Sequence, residues 1–205
     1  MKTCLLLAVS AAAAVADPPC ISFTKSFPGS KPPWVGITLH RDGKAEYREA
    51  PDDNQPVRFQ MPEADTAAMF ALAEKLEKFT RPIESGLKVA NMGEKTFEWQ
   101  AGAEKHSVKF NYSQDLDAQQ LLDWFERISE TERHLLDLER TVRFDRLGVN
   151  QALLQLQISW ERKRLVAPEQ FLKLLERVVK NEGYMNIARE RAAMLADAFR
   201  AAKAQ

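Results

Sequence analysis

The residues best suited to chemistry in this chain are three histidines, His40, His106 and His134, set among many carboxylates. Metal binding needs several ligands at fixed spacing, and none of the histidines has a second His or Cys near it in the manner of His-Glu-x-x-His. Neither a resident metal nor a cofactor is expected. His106 shares a strand face with Val108 and Phe110, where an imidazole is expected to pack or hydrogen-bond. His134 lies among Glu130, Glu132 and Arg133 on a helix and is expected to be solvated. His40, Arg41 and Asp42 spell the opening of a kinase catalytic loop, but Tyr47 stands where that loop needs Asn. No glycine-rich phosphate loop and no G-x-S-x-G elbow occurs, so nucleotide and esterase chemistry lack their usual scaffolds.

Glu46, Glu98 and Glu104 are candidates for an acid and base pair by location alone. The plainer expectation is exposed strand carboxylates facing lysines across a hairpin. Cys20 follows Pro18 and Pro19 near the start of the chain, with no positive, structured surroundings evident, and is expected to be non-catalytic. Glu161, Arg162, Lys163 and Arg164 form a charged run at a helix end, where cations complement the helix dipole. Asn111, Tyr112 and Ser113 form a glycosylation sequon.

Lys2, the apolar run Leu5–Ala14 and the small residues Ala14 and Ala16 are the pattern of a secretory leader, so residues 1–16 are expected to be removed and the protein exported to a periplasmic or extracellular space. Loss of Cys4 would leave Cys20 with no internal disulfide partner. No later apolar stretch is long enough to span a membrane. With 29 basic and 29 acidic residues in 205, the formal charge is zero, which disfavours nucleic acid as a partner.

Nine of the ten prolines and six of the eight glycines precede residue 114. That asymmetry predicts an α+β unit over 17–113 and a helical hairpin or bundle over 114–205. In the first unit, Val35, Ile37 and Leu39 alternate with polar or small residues, and a three-residue loop of Arg41, Asp42 and Gly43 sets Leu39 opposite Ala45, with Gly43 left-handed. Further strands are expected over 57–61, 87–91, 96–100 and 106–112, giving an antiparallel meander covered on one side by a helix from Pro62 to Lys78.

Beyond Asp115, every seventh residue is apolar: Leu121, Ile128, Leu135, Val142, Val149 and Leu156. The phase runs unshifted through Gly148, predicting one long helix to Arg164, with a break near Gly148 as the alternative. Two shorter helices follow, one opened by Pro168 and one carrying Ile187, Leu195 and Phe199. The seam suits an internal core, or a coiled-coil-like surface for self-association or a protein partner through Leu135, Val142, Val149 and Leu156. The expectation is therefore a non-catalytic exported binding or envelope-assembly protein. A small exported hydrolase or hydrolase inhibitor built on the α+β half is the alternative.

Overall fold

The computed structural model describes residues 18–203, so the expected leader at 1–16 lies outside the described residues. Six strands are present: β1 (Cys20–Ser26), β2 (Trp34–His40), β3 (Lys44–Arg48), β4 (Val57–Gln60), β5 (Glu94–Ala101) and β6 (Glu104–Phe110). The helices are α1 (Glu63–Lys75), α2 (Leu116–Phe144), α3 (Val149–Glu161), α4 (Leu172–Lys180) and α5 (Asn186–Lys203). The fold class is α+β, with one antiparallel sheet in order β4-β3-β2-β1-β5-β6.

The β2–β3 hairpin has the register that alternation requires, Leu39 opposite Ala45 and Ile37 opposite Tyr47. Its three-residue loop ends on Gly43 at φ +82, a conformation that favours glycine. The Gly43 carbonyl also accepts from Met61 N at 2.8 Å, tying the turn to the end of β4.

Two strand expectations are corrected, and one strand is added. Residues 87–91 form no strand, and Leu87 is exposed; β5 is already flanked by β1 and β6, so the place beside β5 that a meander would give this segment is taken. The stretch after Pro19, where no strand was expected, is the central strand β1, whose Ile21 and Phe23 point inward while Ser22 and Thr24 do not. The sheet is thus a meander of β1 to β4 extended by the β5–β6 hairpin beside β1.

One covering helix was expected, but the inner face is covered by α1 together with the first half of α2. A sheet of six strands spaced by about 4.8 Å is wider than one helix of about 10 Å diameter, so a second helix is needed to dry it. Ala118, Leu121, Phe125 and Ile128 of α2 join Phe23, Phe70 and Phe97 in this first core. Phe125 stacks on Phe23 with ring centroids 5.0 Å apart. Full burial of such a side chain stabilises by about 2–3 kcal/mol.

Leu135, Leu138 and Val142 of α2 belong instead to a second core, with α3, α4 and α5. The expected single helix is interrupted: α2 ends at Phe144 and α3 begins at Val149. The Asp145 carboxylate accepts from Gly148 N at 3.0 Å, and this local bond competes with continued helix. After the break α3 returns against α2, so the apolar seam closes on the chain itself. Ile187, expected on the buried face of the last helix, is 52% exposed, while Ala192 and Ala196 are buried.

Gly43→Ala should destabilise the fold by about 2–3 kcal/mol, lowering Tm by about 5–10 °C in a thermal melt. The added Cβ would be left-handed and would lie 2.8 Å from the Met61 carbonyl oxygen. An unchanged Tm would mean the turn is not held as described.

Candidate functional site

The carboxylates singled out by location do not form an acid and base pair. Glu46 on β3 lies on the outer sheet face and pairs with Arg48 at 2.6 Å and Arg58 at 2.9 Å. Glu98 on β5 pairs with Lys105 at 3.7 Å. Glu104 lies beside Lys78 at 3.3 Å and His106 at 3.8 Å. Each carboxylate already faces a basic side chain.

The seam residues Leu135, Val142, Val149 and Leu156 are all buried in the second core, at 8, 6, 0 and 1% exposure. As folded, none of the four is offered to a partner. The sequon residue Asn111 is also engaged, since its side chain accepts from Met92 N at 2.7 Å and donates to the Ala90 carbonyl at 3.0 Å.

A large opening lies where the two cores meet. The face of α2 from Glu126 to Arg140 forms its floor, with Lys25 and Val35 on the sheet side and Ile158, Ser159 and Arg162 on the side of α3. Its volume is about 1050 Å³. Residues 126, 130, 133 and 137 of α2 recur at spacings of three and four, which puts Glu126, Glu130, Arg133 and Asp137 on one helix face.

A polar cluster centres on Ser159, which is 6% exposed. Its hydroxyl donates to Glu130 Oε1 at 2.6 Å and lies 2.9 Å from His134 Nε2. Arg164 donates to Glu130 Oε2 at 3.1 Å and also pairs with Asp123. Burial pushes the Glu130 carboxyl up, but the Ser159 hydroxyl and the Arg164 guanidinium outweigh it and hold the group below its ordinary value. Burial pushes the His134 imidazole down, and Glu130 offsets this only in part.

His134 was expected to be solvated, and this is corrected: its side chain is only 20% exposed and sits against α3. The charged run at the end of α3 also does more than complement a helix dipole, because Arg164 reaches across to two carboxylates of α2. Sequence reasoning missed this cluster because it assumed one continuous helix. On that helix Glu130 and Ser159 would stand about 43 Å apart, at 1.5 Å per residue. The turn at 145–148 brings them into contact.

The hydrogen-bond inventory fixes what the cluster can do. An ionised carboxylate only accepts, so the single Ser159 proton goes to Glu130, and His134 Nε2 must donate to Ser159 Oγ. A nitrogen already protonated toward the hydroxyl does not act as the base that would make Ser159 a nucleophile. The arrangement is one that ties α3 to α2.

The other charges in the cleft are only partly paired. Lys25 pairs with Glu126 at 3.7 Å and Arg140 with Asp137 at 2.5 Å, whereas the guanidinium groups of Arg133 and Arg162 make no ion pair among the described residues. Beyond the Lys25–Glu126 pair lies a second hollow of about 440 Å³, with Met92, Phe110, Tyr112 and Leu122 in its wall. Lys95 closes its end, buried, with its ammonium donating to the carbonyls of Met92, Gly93 and Asn111. No protein-family model and no curated protein matches this chain.

Long-range proton–nitrogen NMR at neutral pH should find the His134 proton on Nε2, and acid titration should place its ionisation below the ordinary imidazole range. The neutral ring is favoured in the fold, so its stabilisation is present above that ordinary range and lost as pH falls. A proton on Nδ1 instead would return the Ser159 proton to His134 and reopen the nucleophile reading.

Proposed function

We propose that the protein is an exported, non-catalytic binding protein whose cleft takes an extended, acidic segment of a partner protein. The observation that carries this reading is the pair of unpaired guanidinium groups, Arg133 and Arg162, lining a wide cleft whose other basic side chains stand in ion pairs. Guanidinium forks match carboxylates in geometry as well as charge. The unpaired carboxylate in the same cleft, Glu49, accepts a hydrogen bond from Tyr47 at 2.9 Å, and the lining as a whole sets five Lys and Arg side chains against four carboxylates.

Dimensions support a peptide occupant. The α2 floor from Glu126 to Arg140 runs about 21 Å, enough for about six residues of extended chain. The adjoining apolar hollow is of a size to receive a bulky side chain from the same segment. Export rests on the leader pattern at 1–16. The hydrolase alternative gains no comparable support, since its carboxylates face cations and Ser159 is committed to Glu130.

The test is fluorescence anisotropy with a labelled peptide of about ten residues rich in Glu and Leu, against a counterpart with Lys in place of Glu. The acidic peptide should bind at least about tenfold more tightly, with the preference weakening as salt rises. Arg133→Glu combined with Arg162→Glu should abolish that preference while leaving Tm within a few degrees, because neither side chain is buried. Equal binding of both peptides, or indifference to the double substitution, would sink the reading.

A further inference from the structure

Glu132 is fully buried on α2, at the level where one core gives way to the other. Its Oε1 accepts from Gln170 Nε2 at 3.0 Å. Its other oxygen, Oε2, has no hydrogen-bond partner, and neither does Gln170 Oε1. Two buried acceptors orphaned on the same pair of side chains are costly, and neither a carboxylate nor a carboxamide oxygen has a proton to offer the other. A carboxylic acid does. With one proton on Glu132, the acid O–H donates to the amide oxygen while the amide N–H donates to the acid carbonyl, and both orphans are satisfied at once.

We propose that Glu132 and Gln170 form such an acid–amide pair, a proton-dependent latch holding segment 162–171 against α2. That segment carries Arg162 and Arg164 of the cleft, so the latch is a control on the cleft; this last step rests on the peptide-binding reading, the latch itself does not.

The surroundings fit a neutral acid. No basic side chain ion-pairs with Glu132 among the described residues; Glu139, on the same helix, adds a like charge, and Gln170, from the 3-10 turn at Pro168–Phe171, is neutral. Glu169 on that turn acts on Asp65 rather than on Glu132. Arg127, on the same helix, turns to the Leu165 carbonyl at 3.5 Å. Burial pushes the Glu132 carboxyl up to about 8, and Glu139 adds to this against the opposing Gln170 bond. The folded pKa is raised, so the latch is fully present below the ordinary carboxyl range and is lost as pH rises through about 8.

The segment is otherwise held in a demanding conformation. Lys163 at φ 57 and Ala167 at φ 43 are left-handed without being glycine. Such residues persist only where surrounding contacts over-determine them. Several of those contacts are on α2: Val166 N donates to Thr131 Oγ1 at 3.1 Å, and Arg164 pairs with Glu130 and Asp123. Removing one fastening should loosen the segment locally.

Hydrogen–deuterium exchange on the protein from residue 17 onward, between pH 6 and 10 and corrected for intrinsic rates, reads this directly. In the wild type, protection of amides 163–171 should fall about tenfold per pH unit from pH 6 to about pH 8 and level off above it, while sheet amides stay protected. Glu132→Gln keeps both hydrogen bonds as an amide–amide pair, so its protection should be flat across the range. Its Tm at pH 9.5 should exceed that of the wild type. Glu132→Ala should lose protection at every pH. The latch is overturned if wild-type protection of the segment shows no break near pH 8, or if Glu132→Gln loses as much protection at pH 7 as Glu132→Ala does. No peptide enters this experiment, so the failure of the cleft reading and the failure of the latch are separate results.

Discussion

Both cores depend on a single helix. The 29 residues of α2 supply Leu121, Phe125 and Ile128 to the sheet and Leu135, Leu138 and Val142 to the helical layer. A helix presents one continuous stripe only if its apolar residues keep phase, and the seven-residue repeat does so across both cores. The handover falls at Thr131 and Glu132, which are both fully buried and both polar. A polar pair at this level is tolerable only because segment 165–170 supplies partners, Val166 N to Thr131 and Gln170 to Glu132. The strap and the helix are therefore each incomplete without the other.

The break at 145–148 decides what the seam is for. Had α2 continued, Val149 and Leu156 would project far beyond the sheet and would need another chain to cover them. Because α3 turns back, they are buried by α2, α4 and α5 instead, with Tyr184 also bonding the Val142 carbonyl at 3.0 Å. Exposure moves to the corner, where Phe144 and Leu147 stand 77 and 79% exposed. The same turn sets Ser159 beside Glu130 and His134, so the fold's second core and its polar cluster have one origin.

Local patterns were legible where local physics decides. The β2–β3 register followed from alternation and the need for glycine at position 43, and Pro168 opened a helical turn because its ring suits the first turn. What failed were inferences in which a distant partner casts the vote. Residues 87–91 have strand-like residue types but find both flanks of β5 taken. Ile21 and Phe23 alternate as a strand should, yet their central position depends on β5, seventy residues away in the chain, pairing Phe97 opposite Phe23. The candidate site was illegible for the same reason. Each of its charges reads as an ordinary solvated residue until α3 folds back, and a repeat in unbroken phase argued that it would not.

The apolar anchors of the strap set a limit on what loss of its polar ones can do. Val166 belongs to the first core, while Leu165 and Phe171 belong to the second. Lifting the whole segment would expose side chains from both cores at about 25 cal/mol per Å² of apolar surface, a cost that one ionised carboxylate does not repay. Charging Glu132 therefore loosens the segment locally, starting from Gln170 in the turn at Pro168–Phe171, rather than lifting it whole. Arg162 precedes the left-handed Lys163, and Arg164 lies between it and the left-handed Ala167, so a small rotation at either left-handed residue changes where a guanidinium points. A fold that pins both ends of the strap with apolar groups and its middle with polar ones can adjust the cleft without unmaking either core.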